Sequence, residues 1–328
     1  MAVSTATIPV PAVPAERSRF DGQVRAFPWL LMGPTILLLI ALTIFPLIYS
    51  LYLSLNNYTL GGEREWIWFA NYGDLFRDAV FWRKLWFTFQ ITLIAVGVEL
   101  ALGLGCALVL NKRLPAIGVL RMIVYIPMMI SPLVVAYAWR IMLDGSFGVV
   151  TYLGDSLGLG KQQWTIQYGK ASIIATDVWQ WTPFVTLLML AGLQAVPAQL
   201  YEAASLDRAS AWMIFTKITL PFLKTPILLA LLFRTIDTFK IFEAVKFITQ
   251  GGPGDTTETL SVTAYNIGFE QSRLGMGAAI SWVMVIVINV LATVLLKTLT
   301  SQRRRAAEAI DEPEPSGTGP IVAVPGIG

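Results

Sequence analysis

The chain has 328 residues, 55% of them hydrophobic and 14% charged, with a net charge of +3, a single cysteine and no histidine. Soluble domains carry about 25% charged residues, so this composition belongs to an integral membrane protein. Without imidazole, and with Cys106 alone, histidine bases, histidine triads, thiolate metal clusters and intrachain disulfides are excluded.

Residues 1–27 are rich in Ala, Val and Pro and read as a disordered cytoplasmic tail. The apolar run that follows, Trp29 to about Leu55, is too long and too late for a cleavable signal peptide. It suffices to cross a hydrocarbon core of roughly 30 Å, which takes about 20 residues, and Pro34 and Pro46 are placed to bend it. Asn56 to Lys84 is a polar loop whose Trp and Tyr content suits the outer membrane interface. The second span is Leu85 to Leu110, with Glu99 inside it and a Gly97/Gly103/Gly105 series that allows close helix packing. After a short basic turn, the third span runs from about Val119 to Leu143 through Pro127 and Pro132. Asp144 to Lys170 is an outer loop, and Ala171 to Val196 is the fourth span.

A polar interruption, Tyr201 to Pro221, lies between two apolar runs yet carries Glu202, Asp207, Arg208 and Lys217, so it belongs in water beside the membrane. Helix formers behind Pro197 predict one short helix, and Ser210, an N-cap residue type, opens a second with Trp212, Phe215 and Thr219 on one stripe. The fifth span follows from about Pro226 to Phe247, then an outer loop from Ile248 to Leu274, and the sixth span from Gly275 to Leu299. The tail over 301–328 reads as disordered and cytoplasmic, which makes 28–300 the six-helix domain.

Charge sets the orientation. Inner segments hold thirteen basic residues, among them Lys112, Arg113, Arg208 and Arg303 to Arg305, whereas outer loops hold seven. The positive-inside rule then predicts an all-α protein with six transmembrane helices, both termini and the 197–221 loop being cytoplasmic. Inside the fifth span, Arg234 and Asp237 fall about 12 to 17 Å from Pro226, close to the midplane. Each would cost about 2.5 to 3.5 kcal/mol against lipid, so both must face protein or water. Arg234 with Asp237, and Lys240 with Glu243, are three apart and able to pair on one helix face. Two readings stand: ion pairs that lock this helix to its neighbours, or the wall of a hydrated path for a polar substrate. Glu99 and Asn289 share that ambiguity.

Glu202-Ala203-Ala204, then Asp207, Ala209, Ile218 and Leu220-Pro221, resemble the EAA loop, EAA-x-x-DGA-x9-I-x-LP, of permease subunits of binding-protein-dependent ABC importers. Two departures stand out: Arg208 replaces the family's glycine, and Pro226 falls one residue late. Phe69-Ala70-Asn71-Tyr72 through Phe81-Trp82 is similar to a stretch of sugar-type permeases. Thr249 to Gly254, with Thr257, Thr259-Leu260 and Tyr265, is similar to the L-T-x-G-G-P-x-x-x-T-x-x-L-x-x-Y signature of permeases resembling the larger membrane subunit of maltose importers. The resemblance covers roughly residues 29 to 299. It implies a type I ABC importer permease of the bacterial or archaeal cytoplasmic membrane, passing a sugar or polyol. It further implies a homologous second permease, two ATPase subunits and an extracytoplasmic solute-binding protein. The 202–209 segment would dock the ATPase. No Walker A motif is present, Gly154 to Lys161 having the wrong spacing, so ATP would be bound by another chain. Neither an enzyme activity nor a cofactor or metal is expected. A sugar phosphate such as glycerol 3-phosphate is the alternative substrate, and a secondary transporter, which would be expected to show internal repeats, is the alternative class.

Overall fold

The computed structural model describes residues 31–112, 115–158 and 160–311, the last thirteen as backbone only. The 1–27 tail and residues 312–328 lie outside the described residues. Five helices are long and apolar enough to cross a membrane, or six if one bent pair counts as a single span.

Helix α1 spans Leu31–Ser54. Pro46 has no N–H and its ring crowds the preceding turn, and the helix answers with a π turn at Ile40–Ile44. The remainder, from residue 54 onward, forms its own unit. A two-stranded hairpin, β1 (Asn56–Tyr58) with β2 (Arg64–Trp66), and helix α2 (Ala70–Arg77) occupy the stretch expected to be a loop. Asn71 fastens that stretch, donating from Nδ2 to the carbonyls of Ser54 and Asn56. Helix α3 (Ala79–Leu110) starts six residues before the expected boundary, because Asp78 accepts the N–H of Val80 and caps it.

The expected third span is two helices, α4 (Ile117–Met129) and α5 (Pro132–Met142), bent by 95°. The cause is local. A residue before proline is pushed out of the helical region, and proline fits the first turn of a new helix. Ser131 accordingly sits at ψ +134°, Ile130 before it is extended as well, and Pro132 opens α5. Two short helices, α6 (Val149–Ser156) and α7 (Trp164–Gln167), lead into α8 (Gly169–Gln194).

Helix α9 (Ala198–Leu206) and helix α10 (Ala211–Phe239) form the polar interruption and the fifth span. The predicted second short helix is not separate: it is the beginning of α10, which starts fifteen residues before Pro226 and stops at Phe239 rather than Phe247. A π turn, Phe215–Thr219, absorbs Pro221. After a break at residues 240–242 the chain resumes as α11 (243–249). The predicted outer loop from Ile248 to Leu274 contains α12 (Leu260–Tyr265), extended by a π turn to Glu270. Thr259, Leu260 and Val262 are fully buried, so this segment belongs to the packed bundle. Helix α13 (Leu274–Asp311) closes the described chain and runs past residue 300, where the sequence placed the end of the domain.

Helices α3, α8 and α10 make the centre. Ala107, Leu110, Val185, Met189, Leu193, Leu223 and Ala230 pack there, nearly all sealed from solvent. Of the expected glycine series only Gly103 serves close packing, since a Cβ on it would sit 2.6 Å from Val185 Cγ1 while Gly97 and Gly105 face open space. Gly192, not singled out from the sequence, does the same for α8 against α10: its Cβ would meet Pro226 Cγ at 2.5 Å.

Candidate functional site: a polar cavity between two helix breaks

The break between α4 and α5 and the break after α10 face a common cavity of about 310 Å³. Its lining comes from Pro132, from Thr176, Asp177, Gln180 and Trp181 of α8, from Arg234 and Asp237 of α10, and from Lys240, Ile241, Glu243 and Ala244 past the break. Irregular backbone at membrane depth is tolerated where protein or water supplies the missing hydrogen bonds, and both breaks meet that condition. Gln180 Nε2 donates to the carbonyl of Ile130 at 3.1 Å. The carbonyl of Ile241 accepts from Thr259 at 3.2 Å and Ser261 at 2.5 Å.

Arg234 does not pair with Asp237. Its guanidinium holds Glu99 of α3 in a two-pronged bond, Nε to Oε2 at 2.7 Å and Nη2 to Oε1 at 3.0 Å. Nη2 also reaches Asp177 Oδ2 at 2.9 Å and Thr238 Oγ1 at 2.8 Å. The Trp181 ring lies over it, its centre 4.9 Å from Cζ. Arg234 is 1% exposed and Glu99 fully buried, so this group fastens three helices. Asp237 pairs with Lys240 instead, at 3.3 Å and with both side chains about half exposed. Lys240 therefore turns back toward Asp237 rather than forward to Glu243. The helix break between Lys240 and Glu243 removes the helical spacing on which that second pairing rested. Asn289 is not brought to the cavity: it is exposed on α13 and donates to the carbonyl of Val285.

Sequence reading thus named four charged members of the lining and missed Asp177, Gln180 and Trp181. Their signal was present, since Asp177-Val178-Trp179-Gln180-Trp181 is a polar and aromatic patch inside an apolar run.

The 197–221 element is the second candidate site. Helix α9 ends in a Schellman motif: Ala209 N donates to Ala204 O at 2.9 Å and Arg208 N to Ser205 O at 3.2 Å. That motif needs a left-handed residue, and Arg208 takes it at φ +53°. The turn therefore keeps the geometry that glycine would serve. Asp207 is the C-cap, and Ser210 caps α10 by accepting the N–H of Met213 at 3.2 Å. Tyr201 and Thr219 share a hydrogen bond of 3.1 Å that ties α9 to α10. Glu202 and Ala203 are exposed while Ala204 packs inward. Leu206 (85% exposed) and Trp212 (73%) give this polar element an apolar surface. Arg208→Gly is expected to raise stability by about 1 kcal/mol, because relief of left-handed strain, about 1 to 2 kcal/mol, outweighs glycine's extra chain entropy of about 0.5 to 1 kcal/mol. A thermal melt of the purified chain checks this; a lowered midpoint would mean that the arginine side chain holds the turn.

These features define a class: a polytopic helical membrane protein with a polar cavity at interrupted helices and a polar helix–turn–helix element beside its spans. Residues 99–305 match the model of the binding-protein-dependent transport system inner membrane component, and the chain belongs to that family. It is an ABC-transporter permease subunit and a multi-pass inner-membrane protein, of a transport family rather than a catalytic one. The chain is 37% identical to the probable ABC transporter permease protein y4oQ of Sinorhizobium fredii, over 88% of this chain and 94% of that one. It is 36% identical to the trehalose/maltose transport system permease protein MalF of Thermococcus litoralis, over 82% and 92%. A solved bacterial ABC transporter involved in the import of the acidic polysaccharide alginate has the same fold, with a TM-score of 0.76 at 23% identity, covering 87% of this chain and 98% of that one.

Proposed function

We propose that this permease passes a sugar or polyol inward through the cavity between its helix breaks. On this reading both termini and the α9–α10 element are cytoplasmic, and Glu202, Ala203, Ala204, Asp207, Arg208 and Ala209 dock an ATPase. A second permease would complete the path, and an external solute-binding protein would deliver the substrate. The observation that carries the reading is the exposed Asp237–Lys240 pair at the end of α10, within a cavity lined mostly by polar and charged groups. An exposed pair contributes about 0 to 1 kcal/mol, so substrate hydroxyls can open it at small cost. Similarity to the trehalose/maltose permease supports the substrate class. So does the charge balance of the lining, where Asp177, Asp237 and Glu243 face Arg234 and Lys240. Arg234 is already held by two carboxylates and the lining carries more carboxylates than cations, which disfavours a sugar phosphate. A transport family with a separate ATPase likewise replaces the secondary-transporter alternative.

Asp237→Asn removes the charge while keeping size and hydrogen bonding. It is expected to lower uptake of radiolabelled trehalose or maltose about tenfold while the amount of assembled complex stays unchanged. Poor assembly with normal uptake by the surviving complexes would instead make Asp237 a structural residue.

A further inference from the structure

The segment carrying Thr257, Thr259 and Leu260 has no part in the cavity lining, yet its contacts converge on the break beside it. Helix α10 ends at Phe239, and Ile241, 8% exposed, lies outside any helix. A buried carbonyl there needs donors from elsewhere in the chain. Two hydroxyls supply them, from Thr259, which is fully buried, and from Ser261. The two hydroxyls also lie 3.2 Å from each other.

The far side of this segment is anchored as well. Leu260 N donates to Thr88 Oγ1 of α3 at 3.1 Å, so the start of α12 is pinned to a transmembrane helix. Next to it, Lys84 of α3 pairs with Glu258 at 2.9 Å, with both side chains 11% exposed. Asn266 Nδ2 donates to the same carboxylate at 3.2 Å. The break is thereby held against α3 through α12. Ile241 stands between Lys240 and Glu243, so fixing its carbonyl fixes the backbone from which those two cavity side chains project.

We infer that Thr259 and Ser261 are positioning residues: by clamping the Ile241 carbonyl they set where Lys240 and Glu243 stand in the cavity. The inference rests on the cavity being the substrate path, and it goes beyond that reading in placing control of the cavity wall in the 257–266 segment, away from the lining itself. On the proposed topology this segment lies at the outer side.

Hydrogen–deuterium exchange of the full-length chain, purified in detergent, tests the clamp without any transport assay. In Thr259→Val/Ser261→Ala the amides of 240–249 are expected to exchange about tenfold faster, with those of α8 unchanged. Thr259→Ser/Ser261→Thr, which keeps both hydroxyls, is expected to restore the slow exchange. Unchanged exchange over 240–249, or equal acceleration in α8, overturns the clamp. Uptake of radiolabelled trehalose or maltose by the assembled transporter then tests positioning, with Asp237→Asn as reference. If Asp237→Asn lowers uptake and the loosened variant does not, the positioning role falls. If Asp237→Asn is itself silent, the cavity reading fails, and the exchange result alone decides the clamp.

Discussion

Arg234→Met should leave little folded protein to recover. Among the described residues the guanidinium is the one cation in contact with both Glu99 and Asp177, and all three side chains are sealed between α3, α8 and α10. Removing one partner of a buried charged group leaves the others uncompensated, at a cost of about 3 to 5 kcal/mol. Against a total stability of about 5 to 15 kcal/mol that is a large fraction, and toward the lower end of the range it depopulates the folded bundle. The thioether fills much of the arginine stem's space, so lost packing is not the main effect. The control is Lys240→Met, a few residues on, whose charge pairs at a half-exposed site; it should change stability by no more than about 1 kcal/mol. Size-exclusion yield and thermal midpoint in detergent read both variants. A monodisperse Arg234→Met chain with an unchanged midpoint would mean that the paired carboxylates do not depend on the guanidinium.

Glu202→Lys should abolish substrate-stimulated ATP hydrolysis and transport while the permease still inserts. Glu202 is exposed on α9, and Ala204 two residues on packs inward, so the carboxylate stands on the outward face of a helix whose other face is anchored. A charge-assisted hydrogen bond from it to a basic group of a docked ATPase contributes about 1.5 to 3 kcal/mol. Reversal replaces that bond with repulsion, so coupling should fall at least about tenfold to a hundredfold. The substitution leaves the Schellman turn and the Ser210 cap untouched, so helix geometry should persist. Reconstituted complexes assayed for ATPase stimulation decide the matter: normal stimulation would place the coupling element somewhere else in the chain.

The sequence disclosed these two sites unequally. Helices α8 and α13 begin within a few residues of the apolar runs that announced them, because a membrane span is a local compositional fact. The α9 turn was also legible, since Pro197, Asp207 and Ser210 act on their own neighbourhoods, and Arg208 was marked as the residue in a glycine position. The partners of Arg234 were not legible. Glu99 lies 135 residues away and Asp177 57, and helical spacing offers only neighbours three or four positions distant, which is why Asp237 seemed the natural partner. The buried α12 segment was missed because its partners are distant in sequence: Leu260 N donates to Thr88 and the Thr259 hydroxyl to the Ile241 carbonyl, contacts that no local pattern carries. The 95° bend between α4 and α5 was half visible: two prolines marked the place, but their effect on direction is a matter of packing.

Helix α10 begins in the polar 197–221 element and ends just past Arg234 and Asp237, without an intervening loop. Its 29 residues make a lever about 43 Å long at the usual helical rise. A tilt of about 10° around its middle would carry each end roughly 4 Å, in opposite directions. It is restrained along its length: by the Tyr201–Thr219 hydrogen bond and the packing of Leu223 and Pro226 in its first half, and near its finish by a charged knot joining three helices. A pivot at that knot rather than at the middle would make the stroke largest at the end where Trp212 faces outward. A push delivered there would reach the cavity as a small rotation of Asp237, which suits opening one exposed ion pair better than parting a whole helix bundle.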